Sequence, residues 1–339
     1  MQGNRRDFLK QAGVAGVAVA AGGCATGGEM HGGDAAPKRA AGGPMPKGLV
    51  LVAMMADGQP TLGVKTDRGV LDVRRAAKQF GSNAPTTVDD VVRYGDGGLG
   101  ALVKTATAQG GAGLFADESA VSFCPCVMNP EKIVCVGLNY ARHARETNNP
   151  IPKLPILFNK YNNALNCHQG VVEVSKVPAK NFDYESELVI VMGRKAHNVS
   201  EAEALSHVFG YCNGNDFSAR DLQSVSSQWM IGKTCDGFGL LGPYLVTADL
   251  VDPNNLKVVG TVNGEVRQNS NTNDMVFNCA QIIAYTSKLM TLMPGDIIYT
   301  GTPEGVINGY PPDKRVWLKP GDKLTTTIGN LGTLSFSLA

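Results

Sequence analysis

The sequence predicts an α+β fold that is mostly β, and three observations support this prediction. The run LVIVM at 188–192 is typical of a strand that is buried on both faces of a sheet. Asn263 and Gly264 stand between the strand-like runs LKVVGTV and EVRQ, which indicates a hairpin with a two-residue turn. Helical patterns are few, and the clearest has Ser200 and Glu203 arranged as a capping box. We therefore expect a strand-rich core that carries a small number of helices.

The other predicted elements can be placed in chain order. Two strand-like runs, GLVLVAMM and TLGVKTDRGVLDV, precede a helix predicted over 87–94. The helix that Ser200 caps is expected to reach about Phe209 and to end at Gly210. A further helix is predicted over 279–290, ahead of a Pro-Gly turn.

The chain is predicted to contain four segments. Its 339 residues, of which 43% are hydrophobic, can bury a large core, and this length suggests about two folded domains. The segments are a twin-arginine signal peptide at 1–24, a flexible linker rich in Gly, Ala and Pro at 25–47, a small N-terminal α+β domain at 48–128, and a larger domain at 129–339.

The first residues have the order of an export leader. NRRDFLK at 4–10 resembles a twin-arginine signal, and the apolar segment at 12–21 is shorter than the roughly 20 residues that span a bilayer. The alternative is a basic, Ala-rich disordered tail that is not a targeting signal. Cys24 is a candidate for lipidation, although Ala21 stands where such signals usually carry Leu. These features predict a periplasmic or exported protein without a stable membrane span.

Charge and cysteine content exclude several classes of function. Lys and Arg total 31 against 30 Asp and Glu. Because the chain has no large excess of positive charge, its composition does not indicate a nucleic acid or an anionic membrane surface as partner. A small neutral or anionic molecule fits better. Among the eight cysteines only Cys124 and Cys126 are close in sequence, and one such pair makes a poor zinc site. We expect buried free thiols and no disulfide framework.

Two glutamates at the start of the apolar run raise the question of a metal. Glu185 and Glu187 are two apart, so on a strand they project the same way. Carboxylates held this close repel, and desolvation adds several kcal/mol per ion in order of magnitude, unless a cation neutralises them. Asp216, expected in a polar turn, would complete an oxygen site of the kind that Mg²⁺ takes. The alternative is a pair at the rim of the fold, bonded to nearby Lys or Arg.

The segment RHARE supplies a candidate general base. His143 and Glu146 are three apart, which places them on one face of a helical turn. A glutamate that bonds an imidazole can hold it ready to take a proton from water. Because Arg142 and Arg145 flank the pair, the residues alone favour a solvated charged face.

Six motifs together resemble the fumarylacetoacetate hydrolase family. They are VGLNYARHARE, LFNK, DYESEL, NDFSARDLQ, GKTCDGFGLLGPYLVT and PGDIIYTGTPEGV, and they occur in family order over about 130–338. The similarity is greatest to the branch of acylpyruvases and 5-carboxymethyl-2-hydroxymuconate isomerases. It implies a mixed β-roll core at 129–339 that carries catalysis, a variable small N-terminal domain, and a homodimer.

The resemblance also implies a role for individual residues. Glu185, Glu187 and Asp216 would hold a divalent metal, usually Mg²⁺ with Mn²⁺ or Ca²⁺ as alternatives, which binds the carboxylate and keto oxygens of a 2-oxo acid. Lys233 would reach the same oxygens, and a short lid would carry His143 and Glu146 as catalytic residues. The residues that would contact the substrate are Lys160, Arg220, Gln223 and Thr302.

Three functions remain open at this point. The preferred one is hydrolysis of a carbon-carbon bond in an acylpyruvate-like 2,4-dioxo acid, in which His143 activates water and pyruvate leaves as a metal-bound enolate. The alternative is a lyase or isomerase at the same site, by decarboxylation or keto-enol isomerisation of a 2-oxo or muconate-derived diacid. A third hypothesis is an exported protein that binds acidic metabolites without turnover.

Overall fold

Strands dominate the computed structural model, which describes residues 43–339. The predicted signal peptide, Cys24 and most of the predicted linker lie outside these residues. The strands are β1 (Val50–Ala56), β2 (Gln59–Thr66), β3 (Gly69–Asp72), β4 (Phe115–Ala116), β5 (Ser122–Phe123), β6 (Ile133–Gly137), β7 (Ile156–Lys160), β8 (Leu165–Cys167), β9 (Gly170–Val172), β10 (Phe182–Asp183), β11 (Ser186–Met192), β12 (Val208–Asp216), β13 (Ser218–Ala219), β14 (Gly239–Leu241), β15 (Leu245–Thr247), β16 (Lys257–Val262), β17 (Glu265–Asn271), β18 (Ile297–Tyr299), β19 (Lys323–Ile328) and β20 (Thr333–Leu338). The α-helices are α1 (Val73–Phe80), α2 (Val88–Tyr94), α3 (Leu99–Gln109), α4 (Ala141–Glu146), α5 (Glu201–Ala204), α6 (Arg220–Gln223) and α7 (Cys279–Leu289). The mostly β, α+β fold class is confirmed.

The largest sheet places the LVIVM run at its centre. Its main path is β4-β3-β2-β1-β15-β12-β11-β18-β6-β7, and β5, β8 and β14 join at its sides. Every residue of β11 is buried, as expected for a strand covered on both faces. β11 pairs antiparallel with β12 on one side and with β18 on the other. The start of β11 therefore lies within the body of the protein and not at its rim.

The N-terminal strands belong to this same sheet. β1 pairs antiparallel with β15, with Val50 opposite Val246 and Leu51 opposite Leu245. β2 and β3 extend the sheet outward from β1. Backbone pairing thus joins the predicted small domain to the larger one, and a division at residue 129 stays a prediction.

A second sheet packs against the first one close to the glutamates. Its order is β17-β16-β19-β20-β9. Both β16 and β19 contact β11, and β19 also contacts β12. Thr326 of β19 links the layers, because its hydroxyl lies 2.9 Å from Ser186 Oγ and accepts a 3.2 Å hydrogen bond from Asn215. The predicted hairpin is present, with Asn263 at φ 51° and Gly264 at φ 83°, the positive values that its two-residue turn requires.

The predicted helices agree with the structure except at one end. α2 and α7 lie where they were expected, and the capping box of Ser200 and Glu203 is formed. The helix after Ser200 was predicted too long: α5 continues as a short 3₁₀ turn to His207, and Phe209 and Gly210 belong to β12. Pairing of β12 with β11 overrides the local helical pattern there. In the described part of the chain, no helix is long and apolar enough to cross a membrane.

The cysteines of the described chain are free thiols. Five of them are buried, and burial raises the pKa of the Cys279 thiol to about 12. Cys124 and Cys126 are both in the buried group and pack within the apolar core under the large sheet.

Candidate metal and substrate site

Two neighbouring strands bring the three predicted carboxylates together. Glu185 lies just before β11, Glu187 is the second residue of β11, and Asp216 is the last residue of β12. Their side chains can each offer one oxygen such that these atoms all lie within 4.8 Å of one another, and all three residues are buried. Asp216 was expected in a turn, but it ends a strand because Ser186 pairs with Asn215 and holds β12 in register.

Cationic side chains hold two of the three carboxylates. Lys233 Nζ lies 2.6 Å from Glu185 Oε2 and 2.9 Å from Asp216 Oδ2. Arg220 lies 2.7 Å from Glu185 Oε1 and 2.8 Å from Asp183 Oδ2. Burial alone would raise the pKa of Glu185, but the charges of Lys233 and Arg220 outweigh it and hold that pKa below its ordinary value. Glu185 is therefore an ionised carboxylate in this site.

Glu187 differs from its two neighbours. Its Oε2 atom accepts a 2.7 Å hydrogen bond from the backbone N–H of Gly301, yet no Lys or Arg of residues 43–339 forms an ion pair with it. Burial, followed by the charges of Asp216 and Glu185, raises the pKa of Glu187 well above its ordinary value. Glu187 is thus the one carboxylate of the three that has no Lys or Arg partner within residues 43–339.

These residues fit a divalent metal ion. The donors are carboxylate oxygens, which hard cations such as Mg²⁺, Mn²⁺ and Ca²⁺ prefer. Asp216 Oδ1 is buried and makes no hydrogen bond, although Lys160 Nζ lies 2.5 Å away as an ion-pair partner. A divalent ion would supply the positive charge that Glu187 lacks. The cluster could therefore hold such an ion.

Lys160 is buried behind the cluster. Its ammonium group donates to the carbonyl oxygens of Phe217 and Phe238, each at 3.2 Å, and also to that of Lys233. Lys160 does not line the cavity described next, and its partners lie on β12, the loop after it, and the segment before β14. Its predicted contact with substrate stays a prediction, while its contact with Asp216 is present in the structure.

A cavity of about 380 Å³ opens beside the carboxylates. It is large enough for a small organic acid, and it combines charged, amide and aromatic side chains. The predicted residues that line it are Glu185, Glu187, His143, Lys233, Arg220, Gln223 and Thr302. The structure therefore brings most of the predicted site residues to one cavity.

The histidine and glutamate of RHARE are bonded to each other. They lie on α4, where His143 Nδ1 is 2.8 Å from Glu146 Oε1. The other carboxylate oxygen of Glu146 accepts a 2.9 Å hydrogen bond from the backbone N–H of Gly305. With Nδ1–H donated to Glu146, Nε2 of His143 has a free lone pair. Since His143 is buried and lines the cavity, the solvated charged face is not the arrangement found here.

The residues predicted to contact substrate already have hydrogen-bond partners within the protein. Thr302 Oγ1 donates to Ser186 O at 3.0 Å and accepts from Gln268 Nε2 at 2.8 Å. Arg220 also donates from Nη1 to Gln223 Oε1 at 3.0 Å, so each of its three nitrogens has a partner. Arg220 therefore fixes Glu185 and Gln223 from within the protein.

Several residues of the site could not be found from sequence patterns. Asp183 accepts hydrogen bonds from Arg220 and from the backbone N–H groups of Ile307 and Asn308, and only its position in DYESEL could have indicated it. Gln268 lies on β17 of the predicted hairpin, and no sequence pattern indicates its hydrogen bond to Thr302. The loop after residue 307 also adds Asn308, Arg315 and Trp317 to the cavity wall.

The fold and the cavity define an enzyme, with an acidic cluster and a held histidine facing one small pocket. The chain belongs to the fumarylacetoacetate hydrolase family, since the family model described as "Fumarylacetoacetate (FAA) hydrolase C-terminal" matches residues 132–339. The family predicted from the motifs is thereby confirmed.

Named relatives show which activities occur on this fold. The chain is 45% identical over 224 residues to the mitochondrial oxaloacetate tautomerase fahd2 of Xenopus laevis, covering 64% of this chain and 68% of that protein. A putative HpcE protein from Mycobacterium smegmatis superposes with a TM-score of 0.73 at 33% identity, covering 86% of this chain and 99% of that one. A 5-carboxymethyl-2-hydroxymuconate delta-isomerase from the same organism gives 0.58 at 34% identity, over 66% and 82% of the two chains. These similarities support isomerase- or lyase-type chemistry.

The predicted location is wrong. Residues 1–42, where the twin-arginine motif and Cys24 stand, lie outside the described structure. The oxaloacetate tautomerases of Xenopus laevis, Bos taurus and Homo sapiens that match this chain are described as mitochondrial, not as periplasmic or exported. The order of charged and small residues at 4–24 was therefore insufficient evidence for export.

Proposed function

We propose that this enzyme catalyses keto-enol tautomerisation of a 2-oxo dicarboxylic acid of the oxaloacetate type. The observation that carries the proposal is that His143, held by Glu146, shares one cavity with Glu185, Glu187 and Lys233. Tautomerisation needs one group to move a proton at carbon and positive charge beside the 2-oxo oxygen, and it needs no attacking water. The naming of a 45% identical relative as an oxaloacetate tautomerase supports the choice of substrate.

Glu185, Glu187 and Asp216 would hold the metal ion, and we propose Mg²⁺ because all the donors are oxygens. When bound, the ion supplies Lewis-acid stabilisation of negative charge on the substrate. Lys233 holds Glu185 and Asp216 in place and adds its own positive charge to the same wall of the cavity.

His143 would move the proton at the substrate carbon. Conversion of enol to ketone removes the enol O–H proton and adds a proton at C3, so the overall change is a proton shift. The free Nε2 atom can carry that proton, and the carboxylate of Glu146 stabilises the imidazolium while it exists. Thr302 would line the wall beside the substrate carboxylate. Its hydroxyl proton is already donated to Ser186 O, so the hydroxyl itself would not donate to that carboxylate.

The direct test is a tautomerase assay. Purified protein with Mg²⁺ would be added to enol-oxaloacetate, and the loss of enol absorbance would be compared with the rate in buffer containing Mg²⁺ alone. A rate that rises in proportion to enzyme concentration supports the proposal. A rate no different from that in buffer, for a folded protein that binds Mg²⁺, would refute it.

Hydrolysis of an acylpyruvate is the second candidate. The specific observation in its favour is the same pair, because an imidazole held by a carboxylate can also take a proton from water. Incubation with an acylpyruvate and identification of the products separates the reactions, since hydrolysis gives two acids and tautomerisation leaves the carbon skeleton intact. Binding of several 2-oxo acids with no turnover at all would instead favour a protein that only binds them.

We also propose that the enzyme is a homodimer. The edge strand β7 and its flanks expose large apolar side chains, with Leu154 at 61%, Ile156 at 37% and Tyr161 at 56% exposure. An exposed apolar edge of this kind is usually covered by another chain. Sedimentation equilibrium of the purified protein would give the mass, and a monomer at micromolar concentration would contradict this proposal.

A further inference from the structure

The cavity contains one Lys or Arg side chain that has no acidic partner within residues 43–339. Arg220, Lys233 and Arg315 all line the cavity. Arg220 and Lys233 are each bonded to two carboxylates. Arg315 forms no ion pair with any carboxylate of the described chain, and its only hydrogen bond there runs from Nε to a backbone carbonyl.

The position of Arg315 is nevertheless fixed. Its Nε atom donates a 2.8 Å hydrogen bond to Tyr310 O, and its Cζ atom lies 6.0 Å from the centroid of the Trp317 ring. Stacking of this kind orients a guanidinium group. The two Nη groups thus remain available, and Arg315 is only partly exposed to solvent.

Two of the acids in the cavity already have partners. Asp221 also lines it, but its two oxygens accept hydrogen bonds from the backbone N–H groups of Lys180 and Leu222. Glu185 is bonded to Lys233 and Arg220. A free guanidinium beside these satisfied acids is suited to a carboxylate that arrives with the ligand.

We propose that Arg315 binds the second carboxylate of a dicarboxylic substrate, an inference that rests on the function proposed above. One end of such a substrate, its carboxylate and 2-oxo oxygen, belongs beside the acidic cluster and Lys233. The other carboxylate then needs a cation elsewhere on the wall, and Arg315 supplies it. Arg315 is therefore the residue that distinguishes 2-oxo dicarboxylates from 2-oxo monocarboxylates.

A pair of ligands of equal length tests this inference through binding. 2-Oxoglutarate and 2-oxopentanoate have the same number of carbons and differ in ending with a carboxylate or a methyl group. Titration calorimetry with the Mg²⁺-saturated full chain would give both dissociation constants. We expect the dicarboxylate to bind about 10- to 100-fold more tightly, the range for a charge-assisted hydrogen-bonded pair.

Three variants assign that preference to Arg315. Arg315→Ala should reduce the ratio of the two dissociation constants to about one, and Arg315→Lys, which keeps the charge but loses the planar fork, should retain part of it. Lys314→Ala is the matched control, because Lys314 is the adjacent exposed cation and does not line the cavity. It should keep the wild-type ratio. Melting temperatures would establish that each variant is folded.

The outcomes separate this inference from the proposed function. An unchanged ratio in Arg315→Ala, or no preference in the wild type, would overturn the role of Arg315. A wild type that prefers the dicarboxylate through Arg315 but does not tautomerise enol-oxaloacetate would support the role of Arg315 and refute the tautomerase. If the wild type tautomerises enol-oxaloacetate but Arg315→Ala leaves the ratio of the two dissociation constants unchanged, the proposed function is supported and the role of Arg315 is refuted.

Discussion

The ammonium group of Lys160 lies 2.5 Å from Oδ1 of Asp216, and neither side chain is accessible to solvent, with 0% and 1% exposed. The family motif LFNK predicted a residue in contact with substrate. In the structure, three backbone carbonyl oxygens and one carboxylate surround Lys160, and its contact with substrate stays a prediction. A buried charge bonded in this way stabilises the position of Asp216 relative to the loop that carries Lys233.

Replacement of Lys160 should therefore reduce stability severely. Lys160→Met removes one of the two cations that hold Asp216, the other being Lys233, and leaves three carbonyl groups without this donor. Loss of one member of a buried ion pair costs about 3–5 kcal/mol in the free energy of unfolding. Urea denaturation would measure this. The control is Lys153→Met, at an exposed lysine seven positions earlier, which should change stability by less than about 0.5 kcal/mol. Equal effects of the two substitutions would show that the burial of Lys160 has no energetic importance.

Removal of divalent metal should abolish activity and lower the melting temperature. Three carboxylates within 4.8 Å repel one another once the ion is absent. If Mg²⁺ at 100 times its dissociation constant binds only the folded state, it adds about 2.7 kcal/mol to the free energy of unfolding. Thermal denaturation with EDTA, followed by addition of excess Mg²⁺, would measure both effects. Activity that survives exhaustive chelation would contradict the metal assignment.

Glu187→Gln should change stability in opposite directions with and without metal. In the metal-free protein the substitution removes the one carboxylate of the cluster that no cation neutralises, so we expect a higher melting temperature than in the wild type. In excess Mg²⁺ the order should reverse, because a metal ligand is lost. Parallel melts of the two proteins at each Mg²⁺ concentration test this. A variant less stable than the wild type under both conditions would disprove the charge argument.

His143→Ala should remove catalysis and leave metal binding intact. Loss of a general acid-base group lowers the rate by about 10²- to 10⁴-fold. The rate of tautomerisation and the affinity for Mg²⁺ would be measured on the same sample. Any decarboxylation of oxaloacetate should fall much less, since it requires no proton transfer by this group in the bond-breaking step. Equal losses of both activities, with metal affinity unchanged, would make His143 a substrate-positioning residue.

Gly309→Ala should reduce activity more than stability. A Cβ atom at Gly309 would lie 2.5 Å from Cδ and 2.7 Å from Oε2 of Glu146, so the carboxylate must move and His143 would lose its partner. The flexible end of the Glu146 side chain can move at small cost, and we expect a fall of about tenfold or more in turnover with a nearly unchanged melting temperature. Gly113→Ala is the control, because a Cβ atom there has open space. If turnover is the same in both variants, Glu146 does not support His143.

The parts of this protein that could be predicted from sequence depend on local patterns. Glu185 and Glu187 were placed correctly because side chains alternate along a strand, and the apolar run after them identified that strand. The position of Lys160 depends instead on how β7 packs behind the end of β12, and no pattern near residue 160 reports that contact. Arg315 reaches the cavity only because the segment after Val306 folds back to it. The helix end at His207 was mispredicted because strand pairing decides that boundary.

The carboxylate of Glu146 is shared between His143 on α4 and the backbone N–H of Gly305, in the loop that also carries Thr302. Arg142 of the same helix bonds Glu304 of the same loop at 3.2 Å. The helix and the loop are thus joined by one hydrogen bond and one ion pair, at adjacent loop residues. Any outward movement of α4 must therefore either break both contacts or move the loop as well. If α4 moved outward to admit substrate, the hydrogen bond from Gly305 to Glu146 and the ion pair of Arg142 with Glu304 would break together, or the loop would move with the helix. A partly opened enzyme would then be inactive, because His143 would not be in position to transfer a proton.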